Sequence, residues 1–313
     1  MTEPTRAGFA AVIGAPNAGK STLVNRLVGT KVSIVTQKVQ TTRFPVRGVM
    51  VRGAAQVVLV DTPGIFRPRR RLDRAMVAAA HAQAEGADAV VHLANAQAEA
   101  AVRDGGGSAA DRRSVEDAAD ITAGLKAAGR RAILALNKID GLKRERLLAV
   151  AEGLFDAEVH TEVLMISAAD GSGVNDLADR VAALMPEGPW LYPEDQSADL
   201  PVRLLAAEIT REKLFLRVHE ELPYSAAVET TAFEERRDGS VRIEQTVYVE
   251  RESQRPIVLG RGGQTLKWIG EKARTELTGL LDRPVHLFLH VKVDERWQER
   301  RALYSDVGLE FDA

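Results

Sequence analysis

A nine-residue segment near the amino terminus, "GAPNAGKST", constrains the fold of this chain more than any other feature. It spans residues 14–22, after the apolar run "GFAAVIG" and before "STLVNRLVG", which has helical spacing. Gly14, Gly19, Lys20 and Ser21 match the pattern G-x-x-x-x-G-K-[ST]. Between a strand and a helix, backbone N–H groups of such a loop can surround phosphate oxygens. The segment therefore predicts a phosphate-binding loop, whose other contact residues are Pro16, Asn17, Ala18 and Thr22.

Two side chains of this loop and one later motif predict how the phosphates and a metal ion are held. Lys20 should reach the β- and γ-phosphates, and Ser21 should supply a hydroxyl to Mg²⁺. The motif "DTPG" at 61–64 ends an apolar run. Asp61 is expected to hold Mg²⁺ through water, and the Gly64 N–H to bond the γ-phosphate.

Two tetrapeptides, "NKID" at 137–140 and "SAAD" at 167–170, indicate which base is bound. Asp140 can accept hydrogen bonds from the N1–H and N2 amine of guanine. Adenine has neither donor, so an unpaired carboxylate would penalise ATP. The Ala168 N–H could face guanine O6. The residues expected around the base are Asn137, Lys138, Asp140, Ser167 and Ala168.

Strands alternating with helices in the first half predict a mostly parallel sheet covered by helices on both faces, an α/β fold. Ligands in such sheets lie beyond the carboxyl ends of the strands, where the motifs above fall. We therefore predict a domain that binds GTP and GDP. The predicted strands are 8–14, 57–61, 87–95, 131–137 and 161–167, and the predicted helices about 72–85, 114–128, 143–155 and 174–184.

The pattern changes at a proline-rich stretch, which indicates a second, smaller domain of α+β type. We place the GTP-binding domain at 1–185, the linker at 186–201 and the second domain at 202–313. The second domain should contain a helix, two alternating strands around the turn "RRDGS", a glycine loop, a helix, the strand "PVHLFLHVKV" and a charged last helix from about 294. His286 and His290 share a face of that last strand, and no acidic or cysteine cluster completes a metal site.

A second glycine loop, "GRGG" at 260–263, lacks the lysine and serine of a phosphate loop. Its G-x-x-G pattern, between a predicted short strand and a helix, is the signature of a KH module for single-stranded nucleic acid. Between 255 and 274 there are five basic residues against one acid, which supports phosphate binding. Ile257, Val258, Leu266 and Ile269 are candidates for the apolar floor. The predicted RNA-binding residues are Gly260, Arg261, Gly262, Gly263, Lys267, Lys272 and Arg274.

Charge and composition limit the remaining classes of function. The formal net charge is −2, so attraction to nucleic acid must come from a local patch. The chain has no cysteine, which excludes thiol chemistry and disulfides and fits a reducing cytoplasm. A signal peptide and an apolar run long enough to span a bilayer are both missing from the sequence, so we expect a soluble, cytoplasmic protein.

The order of these motifs resembles that of the translation-factor class of GTPases. That resemblance implies that Thr42, in "QTTR" at 40–43, binds Mg²⁺ and the γ-phosphate, with Thr41 as the alternative. With the run "RPIVLGRGGQTLKWIGEKAR", nearly the whole chain resembles the Era family of bacterial ribosome-assembly GTPases. The resemblance implies a type II KH domain and binding to the 3′ end of 16S rRNA. It also implies a nucleotide-controlled role in assembly of the 30S subunit and peripheral association with the inner membrane. We expect a monomer.

The residues expected to support hydrolysis are Lys20, Thr42 and Asn17. A glutamine is missing after "DTPG", where Ile65 and Phe66 stand, so intrinsic hydrolysis should be slow. Related GTPases with "PNAGKS" use the asparagine to bind K⁺, which suggests Asn17 as a K⁺ ligand; the alternative is that it only shapes the loop. The arginine run at 67–74 either stabilises transition-state charge, contacts a phosphate backbone or is a solvated loop.

Two features depart from the family pattern. Asn95 stands where the family usually has an aspartate, and the segment 95–117, rich in Ala, Gly and charge, is predicted to be a mobile surface insertion. A tRNA-modifying relative is disfavoured because that type carries a cysteine near its carboxyl terminus. The alternative function is a GTPase whose second domain binds a protein or other effector outside ribosome assembly.

Overall fold

The computed structural model describes residues 4–36, 38, 41–64, 71–218, 222–301, 304 and 309–311. Within these residues, contacts divide the chain into two units. The first unit comprises 1–33, 42–199 and 304–313, and the second comprises 34–41 and 200–303. The sequence motifs for nucleotide binding thus fall in the first unit, and the G-x-x-G loop falls in the second.

The first unit alternates strands and helices, as the sequence predicts. Its inner strands are largely apolar because helices cover both faces of a parallel sheet; every residue of the strand at 55–61 is buried, including the polar Gln56 and Asp61. The strands are β1 (Arg6–Gly14), β2 (Val46–Arg52), β3 (Ala55–Asp61), β4 (Ala89–Asn95), β5 (Ala132–Asn137), β6 (His160–Met165) and β7 (Ala198–Asp199). The helices are α1 (Lys20–Val28), α2 (Arg71–Gly86), α3 (Ala96–Arg103), α4 (Ala109–Ala127), α5 (Arg144–Leu154) and α6 (Val174–Ala183).

These strands form one sheet in the order β6-β5-β4-β1-β3-β2-β7. The pairs from β6 to β3 are parallel, and β2 and β7 add an antiparallel edge. The prediction of a mostly parallel sheet is therefore confirmed. Because the parallel strands run the same way, the loops that follow β1, β3, β5 and β6 meet at one edge.

The prediction that residues 95–117 form a mobile surface segment is wrong, since most of them are helical in α3 and α4. Asn95 caps α3, its side-chain oxygen accepting from the N–H groups of Gln97 (3.2 Å) and Ala98 (3.3 Å). Ser108 and Asp111 form a reciprocal capping box at the start of α4. Alanine has the highest helix propensity, so the composition that suggested a loop favours helix once both caps are present.

The second unit is an α+β arrangement of one sheet and its helices. It contains α7 (Val202–Arg217), β8 (Ala226–Glu235), β9 (Val241–Val249), α8 (Arg255–Leu259), α9 (Gln264–Leu281) and β10 (Val285–Val293). The sheet order is β10-β9-β8, with β8 antiparallel and β10 parallel to β9. The apolar sides of α7, α8 and α9 pack on this sheet through residues such as Leu214, Val258 and Ile269.

Two predictions for the second unit require correction. The segment before the G-x-x-G loop is the short helix α8 and not a strand, because Pro256 near its start suits the first turn of a helix. The predicted last helix starts later than 294: a 3₁₀ turn occupies Trp297–Glu299, and Arg301 and Tyr304 are helical. Much of its remainder, at 302–303 and 305–308, lies outside the described residues.

The segment 34–41, which precedes Thr42 in the chain, is held within the second unit by α7. The Val35 N–H donates to Glu212 at 2.8 Å, and the Arg211 guanidinium donates to the Thr41 carbonyl. Lys38 donates to carbonyls at the end of α7, those of Phe215 and Val218. The sequence pattern did not predict these contacts.

Two histidines of the first unit, His92 on β4 and His160 at the start of β6, are buried side by side with stacked rings. The Asp156 N–H donates to His160 Nδ1 at 3.1 Å, so His160 carries its proton on Nε2 and donates it to His92 Nδ1 at 3.2 Å. His92 Nε2 is then protonated, and no described residue accepts from it. Burial, and secondarily the nearby His160, lowers the pKa of His92 from 6.5 to about 3.

This pair predicts a loss of stability in mild acid. A lowered pKa in the folded state means that the unfolded state binds the proton first, so the free energy of unfolding falls as pH drops below 6.5. For His92 the slope should be about 1.4 kcal/mol per pH unit. We expect His92→Leu to give a flatter profile between pH 6 and pH 4 by urea unfolding, with parallel profiles from pH 7 to pH 8 as the internal control. Parallel profiles over the whole range would contradict the prediction.

Candidate functional site

The phosphate-binding loop predicted at 14–22 connects β1 to α1. Gly19 has a φ of 102°, and a Cβ atom at this position would lie 2.3 Å from the Asn137 amide nitrogen. Only glycine fits there, for both reasons. Asn17 also has a positive φ, 62°, a conformation that asparagine tolerates better than most residues, and its side chain is exposed.

Lys20 lies inside the loop with its ammonium group turned toward the loop's own carbonyls. Its Nζ donates to the carbonyl oxygens of Gly14 and Ala15, at 3.0 Å each, and the residue is 6% exposed. Burial lowers the pKa of Lys20 to about 8, an effect that the nearby carboxylates of Asp61 and Asp117 partly offset. A phosphate group in the loop would supply the negative charge that favours the protonated form.

Three oxygen-bearing side chains converge beside the loop. Ser21 Oγ lies 2.8 Å from Thr42 Oγ1, and the Thr42 hydroxyl donates to Asp61 Oδ2 at 3.1 Å. Asp61 is fully buried, and its Oδ1 has no hydrogen-bond partner among the described residues. Burial raises the pKa of this carboxyl, while the Lys20 ammonium opposes the rise.

This group of oxygens fits Mg²⁺. A buried carboxylate oxygen without a partner is costly, and a hard cation that prefers oxygen ligands would satisfy it. Among the described residues, no three histidine, aspartate or glutamate side chains form a cluster suited to a metal. Nucleotide-bound Mg²⁺ needs no such cluster, because phosphates and water supply most of its ligands.

The motifs after β5 and β6 are joined to the phosphate loop by hydrogen bonds. Asn137 Nδ2 donates to the Ala18 carbonyl at 2.7 Å, and the Ala168 N–H donates to Asn137 Oδ1 at 2.9 Å. Ser167 Oγ donates to Asp140 Oδ1 at 2.7 Å. The predicted phosphate and base residues are therefore brought together, with Asn137 as the common partner. The sequence interpretation assigned the Ala168 N–H to guanine O6, whereas here it donates to Asn137.

Other predicted residues of this region are placed as follows. Lys138 has a φ of 67° and a pKa that burial lowers. A Cβ atom on Gly64 would lie 3.1 Å from Pro16, so the end of "DTPG" borders the phosphate loop. Thr22 is half-buried in α1. Ile65, Phe66 and the part of the arginine run up to Arg70 lie outside the described residues.

One arginine that sequence reasoning missed contacts the loop after β6. Arg26, in the last turn of α1, donates from Nε to the Ala168 carbonyl at 3.3 Å and from Nη2 to the Ala169 carbonyl. It belongs to no motif, and nothing in its spacing distinguishes it from other helical arginines, so the sequence alone had no signal for it.

In the second unit, the loop Gly260–Gly263 connects α8 to α9. All three of its glycines have positive φ, at 73°, 61° and 78° for Gly260, Gly262 and Gly263. A Cβ atom on Gly260 would lie 2.3 Å from Thr265 Oγ1, whereas Gly262 and Gly263 face open space. The loop thus has a fixed start and an open end that a backbone of another molecule could approach.

The basic side chains around this loop are exposed. None of them takes part in an ion pair or hydrogen bond that the structure describes, which leaves their charges available to a phosphate backbone. These residues are Arg255, Arg261, Lys267, Lys272 and Arg274.

The prediction of which apolar residues form the floor for RNA bases is partly wrong. Val258 and Ile269 are fully buried in the core of the second unit because they hold α8 and α9 against the sheet. Ile257 is 54% exposed and Leu266 is half-buried, so these two remain candidates. His286 and His290 are exposed on β10, on the sheet face opposite Leu287 and Leu289.

The fold and these sites define a P-loop GTPase that carries a KH domain. A family described as "50S ribosome-binding GTPase" matches residues 9–138, and a family described as "KH domain" matches residues 221–298. The chain is 70% identical over 311 residues to GTPase Era of Caulobacter vibrioides, covering 99% of this chain and 98% of the relative. It is 59% identical over 309 residues to GTPase Era of Maricaulis maris, with coverage of 99% and 98%. The chain therefore belongs to the Era family of GTPases.

Solved structures agree with this assignment. One is a point variant of Aquifex aeolicus Era bound to GDP.AlF4⁻, with a TM-score of 0.85 and 36% identity, covering 97% of this chain and 99% of that one. Another is Era in complex with MgGDPNP and nucleotides 1506–1542 of 16S ribosomal RNA, with the same score, identity and coverage. In the part of this chain that the structure describes, no helix is long and apolar enough to cross a membrane.

Proposed function

We propose that this GTPase binds GTP and GDP with Mg²⁺ in its first unit and the 3′ end of 16S rRNA at its G-x-x-G loop. It acts as a nucleotide-controlled switch in assembly of the 30S subunit. The observation that carries the proposal is the full-length similarity to an Era structure solved with MgGDPNP and a 16S rRNA segment. An exposed basic surface around an open glycine loop, Gly260–Gly263, supports it independently.

The phosphate end of the nucleotide is assigned to the loop after β1. When nucleotide binds, the Lys20 ammonium donates to β- and γ-phosphate oxygens instead of the loop carbonyls. The Gly64 N–H donates to the γ-phosphate. Ser21 and Thr42 hold Mg²⁺ directly and Asp61 holds it through water. Held by these residues, Mg²⁺ would supply positive charge that offsets the charge developing on the phosphates. Pro16, Ala18 and Thr22 complete the lining.

The base is assigned to the loops after β5 and β6. Asp140 accepts from the N1–H and N2 amine of guanine, and Ser167 holds that carboxylate in place through the 2.7 Å hydrogen bond. Asn137 and the stem of Lys138 cover the ring. The Ala168 N–H, which donates to Asn137 Oδ1 in this structure, would donate to guanine O6 when the base is bound.

The switch follows from the position of Thr42. GTP would order residues 36–44 and 61–75 through Mg²⁺ and the γ-phosphate, and hydrolysis would release them. Coupling between two ligands is reciprocal, so an RNA that binds the GTP state more tightly raises the affinity for GTP by the same factor. In the RNA site, Gly260, Gly262 and Gly263 admit the backbone, while Arg261, Lys267, Lys272 and Arg274 neutralise phosphates.

The proposal extends to the domain bounds, the oligomeric state and the location of the protein. The functional domains are 1–185 for the nucleotide and 202–313 for RNA, with 186–201 as linker. The protein acts as a monomer in the cytoplasm, with peripheral association with the inner membrane.

Asn17 is proposed to bind K⁺ and thereby to replace an arginine at the transition state. Single-turnover GTP hydrolysis should then be at least about ten-fold faster in KCl than in NaCl of equal ionic strength. Asn17→Gly should abolish the difference, and glycine accepts the positive φ of this position without strain. Unchanged GDP affinity in the variant is the control. Equal rates in both salts would contradict the K⁺ site and leave Asn17 as a loop-shaping residue.

The test of the proposed function is crosslinking of cellular RNA to the full chain, followed by sequencing. We expect the reads to concentrate at the 3′ end of 16S rRNA. Reads spread over abundant RNAs without enrichment would contradict the rRNA assignment. Such reads would favour the alternative, a second domain that binds a protein or other effector. The nucleotide site does not depend on this result.

A further inference from the structure

Arg26 links the helix that follows the phosphate loop to the loop that faces the base. It lies in the last turn of α1 and donates to the carbonyls of Ala168 and Ala169. Its side chain is exposed overall, so removing it would leave no cavity in the core. The contact joins two elements that are 142 residues apart in the chain.

The loop that Arg26 contacts is a single tight turn. The Gly171 N–H donates to the Ser167 carbonyl at 2.8 Å, and the Ser167 N–H donates to the Ser172 carbonyl at 2.9 Å. In a turn closed by such a bond, successive carbonyls point one way and successive N–H groups point the other. Arg26 receives the carbonyl side, and Asn137 Oδ1 receives the N–H of Ala168 on the opposite side.

Three side chains tie this turn to elements outside it or to a neighbouring motif, and a fourth, that of Asp170, accepts from the Ser172 N–H within it. Asn137 holds its N–H side, and Ser167 ties its start to Asp140. Both lie within the nucleotide motifs. Arg26 alone fixes the carbonyl side by side-chain hydrogen bonds among the described residues. A guanidinium suits this task, because its planar fork presents several donors to two neighbouring oxygens.

We propose that Arg26 is a positioning residue for guanine recognition: by holding the carbonyls of Ala168 and Ala169, it aims the N–H side of the turn at guanine O6. This inference rests on the proposed base pocket. It predicts that Arg26 affects the recognition of one atom of the base. The hydrogen bonds that Asp140 accepts from the guanine N1–H and N2 amine should not depend on Arg26.

The experiment compares GDP with 6-thio-GDP, which replaces only O6 by the weaker acceptor sulfur. With Arg26→Gln we expect the affinity for GDP to fall about five-fold and that for 6-thio-GDP by less than about two-fold, as fits loss of exposed charged hydrogen bonds. The ratio of the affinity for GDP to that for 6-thio-GDP should therefore be smaller in the variant than in the parent. The control is Arg180→Gln, which removes an exposed arginine of α6 that pairs with Glu162, and it should leave both affinities unchanged.

Two results would overturn the inference. Equal weakening of both nucleotides by Arg26→Gln would indicate a general effect on the fold of the loop, and no weakening would indicate that the contact is not used. Asp140→Asn, measured in parallel, separates this failure from failure of the base pocket. If that variant still prefers guanine over xanthine nucleotides, the base assignment itself is wrong. If it changes preference while Arg26→Gln does not, only the role of Arg26 is lost.

Discussion

Replacing Asp140 with asparagine should change the nucleotide preference of this protein from guanine to xanthine. Asp140 is exposed in the loop after β5, and its carboxylate accepts from the Ser167 hydroxyl at 2.7 Å. Guanine offers it two donors. Asparagine retains one acceptor oxygen, but its amide N–H₂ would face the N2 amine of guanine. Both groups are donors, so no hydrogen bond can form between them. Xanthine has an oxygen at that position, so the amide can donate to it. We expect GDP affinity to fall about a hundred-fold or more, as for other sites whose polar partner is lost.

The measurement is the dissociation constant for GDP and for XDP, obtained by calorimetric titration. Asp170→Asn is a matched control, because Asp170 is a neighbouring exposed carboxylate whose oxygen accepts from the Ser172 N–H. That variant should retain the preference for GDP. If Asp140→Asn bound GDP and XDP with the parent's ratio, the base would not lie at the loops after β5 and β6.

Placing two aspartates in the G-x-x-G loop should strongly weaken RNA binding without unfolding the second unit. Gly262 and Gly263 have positive φ, and added side chains at both positions would enter open space. The new carboxylates would lie where phosphates are expected to approach, beside exposed Arg261 and Lys267. Like charges opposed at close range repel strongly, so we expect the affinity for a 3′-terminal 16S rRNA oligonucleotide to fall about a hundred-fold.

The double variant Gly262→Asn, Gly263→Asn is the matched control. Asparagine has nearly the shape of aspartate and tolerates positive φ, so it adds the same bulk without the charge. It should weaken RNA binding by less than about ten-fold, and its binding should depend on salt like that of the parent. GDP affinity and the thermal unfolding temperature of both variants report on folding. Equal losses in the aspartate and asparagine variants would point to steric exclusion, and no loss in either would remove the loop from the RNA site.

Much of the first unit could be predicted because its signals are local. The phosphate loop needs glycine where the backbone has positive φ, and buried parallel strands are mostly apolar, so motif and strand are visible together. The antiparallel strand β2, between β3 and β7, was missed, since its sequence alternates weakly. The linker prediction at 186–201 gave no sign of β7, whose two residues pair with β2.

Signals that depend on context were misinterpreted. The alanine-rich segment after Asn95 is helical because caps at Asn95 and Ser108 start its helices and because Ala96 and Ala100 pack against the core cluster that includes Leu134. The apolar run before Gly260 is too short for its periodicity to separate strand from helix. Val258 is buried there by α9 and the sheet, which no local pattern specifies.

The sequence by itself determined the ligand classes, because the chemistry of phosphate, guanine and RNA recognition requires particular residue types at short, fixed spacings. Tertiary structure alone decided which distant residues support those motifs. Arg26 reaches the carbonyls of Ala168 and Ala169, and Thr42 meets Ser21 and Asp61. Glu212 and Arg211 of α7 hold the segment 34–41. Such contacts join positions far apart in the chain, and their geometry is set by how strands and helices pack rather than by the spacing of residues along the sequence.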